Sequence, residues 1–403
     1  MKPKLREIRV QPAVEGGQQG VLLTDPLGIG QKTMFIPKSL ALLLTLMDGT
    51  RDSGTLRTGF ELRTGTPVGD AFMERLIIQL DEALLLDNER FAIAYEAAID
   101  DYRSAACRPP VLAGKCYPSD AGELSAFFRQ YLDRQGDEGC GYPGEVKGLV
   151  SPHIDFQRGG HIYAGVWSRA EAALRQAELV VILGTDHNDG EGRVTLTRQS
   201  YETPLGIVPT AQAAVDEFVA EIGEGVFECE LNHRGEHSIE AAVVWLHYLR
   251  GDRPCQVLPI LCGSFQQFIE RGESPLEAAH IGSTIEILKR LASSQRTVVV
   301  AAADLSHVGP VFGDPSPVDI AGRAAVTKQD EELIETMTGG RADDFFSKIA
   351  IDGDRRHVCG VPPIYIALSA LCGLKGTPTG YAICPASEDG TSVVSICGVL
   401  YHL

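Results

Sequence analysis

From Val146 to Leu403 the chain repeats one alternation, a short continuous run of apolar, largely β-branched residues followed by a segment of helical spacing. The runs are VKGLV, LVVILG, QVLPILCG, TVVVAAA, GYAIC and VVSICGVLYHL. Strands that read as unbroken apolar stretches are covered on both faces, and strands separated by helices pair in parallel or mixed sheets. The pattern predicts a three-layer α/β/α domain around a mixed or mostly parallel central sheet. In such sheets ligands collect beyond the carboxyl ends of the strands.

Three of these strand ends carry histidines. The first run passes into Ser151-Pro152-His153, the second into Thr185-Asp186-His187, and TVVVAAA into Asp304-Leu305-Ser306-His307. In a parallel sheet three such ends point to one edge and can converge. Imidazole is the commonest metal ligand and also titrates near neutral pH, so the cluster suits either a metal site or acid–base chemistry. If His307 acts as a base, the nearby Asp304 would fix its tautomer and raise its basicity; the alternative is that Asp304 caps the next helix. Asp155 and Arg158 are candidates for orienting His153 or binding an anionic ligand, and Asp186 for orienting His187. Glu236 and Glu240 lie one turn apart at the start of the apolar helix IEAAVVWLHYL and would share a face. His161, His233, His247, His280, His357 and His402 read as ordinary surface or packed residues. No phosphate-loop pattern is present.

Residues 1–105 read differently. A β-like VLLTDP leads to Pro37, a good first-turn residue, and to a helix with Leu40, Leu43, Leu44 and Met47 on one face. A short helix (TLRTGFEL) follows, then one from about Asp70 to Leu84, and LLLDNERFAIAYE is expected to form a hairpin wing. Together these describe a small winged-helix-like domain. Its third helix carries Asp70, Glu74, Asp81 and Glu82 against Arg75, which would repel phosphate, so a DNA reader is not expected and a docking or peptide-recognition role is. The stretch 106–120, with Pro109-Pro110, reads as a linker, and the Gly-rich polar segment 135–145 as a loop.

The formal net charge of −18 argues against non-specific nucleic-acid binding, which needs a basic face. No apolar run approaches the length of a membrane span, and MKPKLREIRV lacks the apolar core of a secretory signal. Ten cysteines without a CxxC pair or regular spacing suggest reduced thiols and a cytoplasmic location.

Six ordered blocks, AGKCYP (113–118), SPHIDFQRGGHIYA (151–164), LGTDHN (183–188), EHSIE (236–240), ADLSHVG (303–309) and VCG (358–360), resemble the Memo family. The similarity is strongest to its bacterial branch, AmmeMemoRadiSam system protein B, and extends over roughly residues 109–403. It implies a fold like that of class III extradiol ring-cleavage dioxygenases, which hold non-haem Fe(II) with two histidines and a carboxylate. Carried over by motif, His153 and His187 match the metal histidines. Cys359 stands where the dioxygenases have their carboxylate, and His307 matches their acid–base group, with Asp304 beside it. The resemblance places His237 at the border of the pocket, as a catalytic or substrate contact. Two imidazoles and a thiolate suit one mononuclear Fe(II), Cu or Zn ion and disfavour Mg and Ca. The implied function is a metal-dependent oxidoreductase acting beside a radical-SAM enzyme and an AMMECR-type protein. The alternatives are a peptide- or protein-binding scaffold with a vestigial pocket, and a metal-dependent hydrolase.

Overall fold

The computed structural model of the chain describes residues 2–135, 144–188, 192–294 and 296–403. Most of the expected 135–145 loop lies outside them. The chain divides into two units, Met1–Ser104 and Ala105–Leu403.

The first unit opens with the strands β1 (Arg9–Glu15), β2 (Gln18–Thr24) and β3 (Met34–Pro37), which form an antiparallel sheet in that order. Four helices follow, Ala41–Leu46, Ser53–Thr64, Asp70–Glu82 and Glu89–Ser104. Leu23, Ile36, Leu43, Phe60, Met73 and Leu80 meet in its core. The hairpin lies at the start of the unit, before the helices, and the expected wing is a helix. Phe91, Ile93 and Tyr95 alternate like a strand, but Asn88 Oδ1 accepts from the Phe91 N–H (3.1 Å) and starts a helix through an alanine-rich segment.

In the second unit the strands are β4 (Val146–Ser151), β5 (Leu179–Thr185), β6 (Val194–Leu196), β7 (Tyr201–Thr203), β8 (Gly206–Val208), β9 (Gln256–Cys262), β10 (Thr297–Ala302), β11 (His307–Val308), β12 (Lys375–Pro385) and β13 (Val393–His402). Eight of them form one sheet in the order β11-β13-β4-β10-β5-β9-β6, with β12 paired to β13. The four central strands β4, β10, β5 and β9 run parallel, while β13 and β6 join them antiparallel. The sheet is mixed but mostly parallel at its centre, with helices on both faces. Along β10, Val298 and Val300 enter the core that holds Trp167 and Trp245, while Val299 and Ala301 enter the core that holds Leu288 and Tyr365. Both faces of one strand are apolar for that reason.

The segment expected to be a linker is built into this unit. Arg108 is 0 % exposed and Tyr117 is buried. The Arg108 guanidinium pairs with Glu240 and donates to the His233 carbonyl (2.9 Å) and the Glu236 carbonyl (2.6 Å). Pro109-Pro110 is fixed on both sides rather than a free tether, the Pro109 carbonyl accepting from Arg108 Nη1 (3.1 Å) and Val111 N donating to Glu240 (2.9 Å). Among the described residues the eight cysteines other than Cys229 are free thiols, and no helix is long and apolar enough to cross a membrane.

Candidate metal centre

The parallel strands β4, β5 and β10 end side by side, and the residues just beyond them meet. His153 follows β4 by two residues, His187 follows β5 by two, and Asp304 follows β10 by two. His237 stands immediately before the helix Ser238–Arg250. One ligand atom from each of His153, His187 and His237 lies within 4.8 Å of the others. Ring centroids are 5.0 Å apart for His153 and His187, 5.3 Å for His153 and His237, and 4.7 Å for His187 and His237. The Cys359 Sγ lies 3.4 Å from His153 Nε2.

Two glycines permit this approach. A Cβ on Gly184, in β5, would stand 2.6 Å from Ile239 Cγ1 and 2.6 Å from Ser238 Oγ. Its absence lets the helix start press on the strand end, where Ser238 Oγ donates to the Thr185 carbonyl at 2.9 Å. A Cβ on Gly360 would stand 2.5 Å from the Asp304 carbonyl oxygen. The bare backbone instead donates to that oxygen (Gly360 N, 3.1 Å), which sets Cys359 beside the end of β10. Thr185 Oγ1 donates to the Cys359 carbonyl at 3.2 Å, tying the same loop to β5.

Each imidazole of the cluster is held by its Nδ1. His153 Nδ1–H donates to the Ala302 carbonyl (3.0 Å). His187 and His237 both bring Nδ1 to Glu236, each at 3.0 Å from Oε1. Glu236 is 2 % exposed and also accepts from the backbone N–H groups of His187 (3.0 Å), His237 (2.7 Å) and Ser238 (3.0 Å). One buried carboxylate thus orients two histidines through Nδ1 and leaves their Nε2 atoms turned away from it, the arrangement found behind metal-ligating histidines. Asp304 serves the third: Oδ1 accepts from the His153 N–H (2.9 Å), and Oδ2 lies 3.7 Å from His153 Nε2.

The charges agree with a cation site. Burial pulls the His153 imidazolium down, yet Asp304 and Cys359 carry its pKa up to about 9. Burial likewise opposes the charge on His187, and Glu236 with Cys359 raises it well above the ordinary value. Burial disfavours the Cys359 thiolate, but the surrounding imidazoles of His153 and His307 hold its pKa well below the usual thiol range. Buried acceptors concentrated here demand positive charge, which protons or a metal ion can supply. Imidazole nitrogens suit a transition-metal ion, and His153, His187 and His237 form the group able to hold one, with the Cys359 sulfur against His153. A cavity of about 400 Å³ opens onto the three histidines, lined also by Asp304, His307, Phe156 and Phe312.

Several expected pairings differ. Asp304 does not hold His307, whose Nδ1 lies on the Leu305 carbonyl at 3.1 Å; it holds His153, because β4 and β10 are sheet neighbours. Asp155 caps the helix Phe156–Gln176 through Arg158 N (3.0 Å), and its carboxylate accepts from Arg158 Nε (2.6 Å). Both line the cavity, but neither orients His153. Asp186 accepts from Asn188 N (2.9 Å) and Asn232 Nδ2 (2.8 Å), while the carboxylate on the His187 ring is that of Glu236. Glu236 and Glu240 do not share a face: Glu240 accepts from Tyr117 Oη (2.6 Å), Leu112 N (2.8 Å) and Val111 N (2.9 Å). The Glu236 backbone is extended (ψ 136°) ahead of the helix, so it aims elsewhere.

Sequence reasoning missed the Ala302 carbonyl, the paired glycines and the buried Asp330. Asp330 accepts from Ser306 Oγ (2.7 Å), Arg356 Nη1 (2.7 Å) and Tyr381 Oη (2.9 Å), and the Arg356 carbonyl accepts from His307 N (2.6 Å). A lone acid inside a helix gives no linear signal of such a network.

Known proteins are similar to this chain in sequence. A MEMO1 family protein of Aquifex aeolicus is 29 % identical over 412 residues, covering 100 % of both chains. One of Archaeoglobus fulgidus is 31 % identical over 301 residues, covering 73 % of this chain and 100 % of its own. One of Methanosarcina mazei is 28 % identical over 303 residues, covering 73 % and 98 %. The two archaeal proteins are about as long as the second unit alone. Residues 108–399, which include every residue of the cluster, match the family described as Memo-like protein. The chain therefore belongs to the Memo-like family.

Proposed function

We propose that this Memo-like chain holds one mononuclear redox metal, Fe(II) in preference to Cu or Zn, and acts as a metal-dependent oxidoreductase of the extradiol-dioxygenase kind. The observation that carries this reading is the convergence of His153, His187 and His237, with the Cys359 sulfur 3.4 Å from His153 Nε2, at one end of a cavity of about 400 Å³. His153, His187 and Cys359 would be the ligands, with His237 beside them toward the substrate. When bound, such a metal supplies redox chemistry and Lewis acidity at an open coordination position.

The chain's own residues do the rest. Glu236 and the Ala302 carbonyl fix the tautomers of the ligating imidazoles. Phe156 and Phe312 exclude water around a substrate in the cavity. His307, held through Nδ1 by the Leu305 carbonyl, keeps Nε2 for taking or giving a proton at the substrate. In this reading the protein works in the cytoplasm as an AmmeMemoRadiSam system B component with a radical-SAM enzyme and an AMMECR-type protein, and its first unit receives a peptide.

A second reading has one observation in its favour. Three histidines with an open position are the ligand set of catalytic zinc. If His237 rather than Cys359 completes the set, zinc and hydrolysis follow.

Metal analysis of the anaerobically purified full chain separates the two. The oxidoreductase reading expects iron, with Cys359→Ala losing most of the metal and His237→Ala keeping it. His307→Ala should keep the metal and lose oxygen uptake with catechol-type substrates. Zinc retained by Cys359→Ala and lost by His237→Ala would establish the second reading. Metal bound by Cys359→Ala and His237→Ala alike would overturn both ligand assignments. A metal-loaded parent without turnover would leave a binding scaffold.

A further inference from the structure

A second cavity, of about 640 Å³, reaches the same cluster from another side. His187 lines both cavities; Cys359 lines only this one, and His153 and His237 only the first. The donor cluster therefore stands in a wall between two chambers. The volume is that of a small-molecule site.

The chamber is graded in character. Its body is apolar, with Phe265 and Ile269 along one side. Its lining also includes Arg355 and His357, both exposed. Among the described residues neither side chain has a hydrogen-bond or ion-pair partner, although acidic groups lie nearby. Asp186 accepts from Asn188 and Asn232, and Asp354 Oδ1 accepts from Val358 N at 2.9 Å. The turn that presents Arg355 and His357 is fixed in an uncommon shape. Asp354 (φ 53°) and His357 (φ 48°) are both left-handed, and His357 N–H donates to the Asp354 carbonyl at 2.9 Å. Residues other than glycine adopt this region at an energetic cost, Asp and His less than most, and such geometry persists where the surroundings enforce it. Here it holds two unpartnered donors beside an apolar chamber that runs to the Cys359 sulfur.

We propose that this second chamber is a binding site for a small amphiphilic organic anion, its acidic head on Arg355 and His357 and its apolar body against Phe265 and Ile269. An occupant of this chamber lies against Cys359 without entering the first cavity. Access to the sulfur and access to the histidine face are thereby separated.

The test uses the full chain and the fluorescent anion 8-anilinonaphthalene-1-sulfonate, with uncharged N-phenyl-1-naphthylamine as its control. The parent should bind the anion with a blue-shifted emission. Arg355→Gln and His357→Asn, at exposed positions, should each weaken it about tenfold, the loss of one charge-assisted contact, and leave the neutral probe unchanged. His357→Asn keeps a residue that tolerates the left-handed turn. Ile269→Trp, which fills the chamber, should abolish binding of both probes. No binding by the parent, or equal anion affinity in the parent, Arg355→Gln and His357→Asn, would overturn the proposal. The titration requires no metal, so its failure would leave the reading of the metal centre untouched.

Discussion

Glu236 and Glu240 are four residues apart, equally buried and both ringed by donors, yet they build opposite kinds of region. Glu240 lies in a closed cluster. Its oxygens receive Arg108, Tyr117 and two backbone N–H groups, and the His233 behind it accepts from Tyr201 Oη (2.8 Å) while donating to the Thr195 carbonyl (3.0 Å). Both ring nitrogens of that histidine are engaged. Around Glu236 each imidazole is fixed by the carboxylate through Nδ1, and the other nitrogens face one another, the Cys359 sulfur and the cavity. A buried polar cluster is structural when its hydrogen bonds close and available for chemistry when they stop one short. The closed cluster also supports the open one, since Arg108 donates to the Glu236 carbonyl.

The contrast can be tested at both ends. The largest effect should come from Glu240→Ala, which leaves the 0 % exposed Arg108 charge without its carboxylate. A cost of roughly 3–5 kcal/mol in folding stability is expected, read as a fall in the denaturant midpoint. Glu236→Gln should act on the metal instead. It keeps the shape but weakens the hold on two imidazoles, and metal affinity measured by competition with a chelator should drop about 10- to 100-fold. Folding should suffer much less; a variant as unstable as Glu240→Ala would erase the distinction.

The smallest effect concerns acid. Burial and the Arg108 charge push the His233 pKa down from 6.5 to about 3. Between those values the unfolded chain binds a proton that the folded chain refuses. The stability this group contributes is complete above pH 6.5 and is lost as pH falls toward 3. His233→Asn should flatten that limb of the stability-against-pH curve, and an unchanged slope would show that His233 titrates freely.

Linear spacing revealed a good deal of this. The apolar runs marked six strands of the sheet, five of them buried on both faces and the sixth, β12, only partly buried beside β13. The histidines at strand ends were visible because parallel strands carry their carboxyl ends to one edge. What spacing could not reveal is who holds whom. Asp304 stands three residues from His307 but bonds to His153, 151 positions away, and Glu236 reaches His187 across 49. Such partnerships follow sheet neighbours, not sequence neighbours. The same limit explains Glu240, expected on one face with Glu236 and found instead under the chain at Arg108.

The guanidinium of Arg108 bears on how the molecule can be taken apart. A fragment begun at residue 120, after the two prolines, would omit the cation that Glu240 requires, together with the Tyr117 hydroxyl, and would leave a bare carboxylate sealed in the interior. Any excised C-terminal unit has to start upstream of residue 108 to inherit an intact floor beneath its histidine cluster.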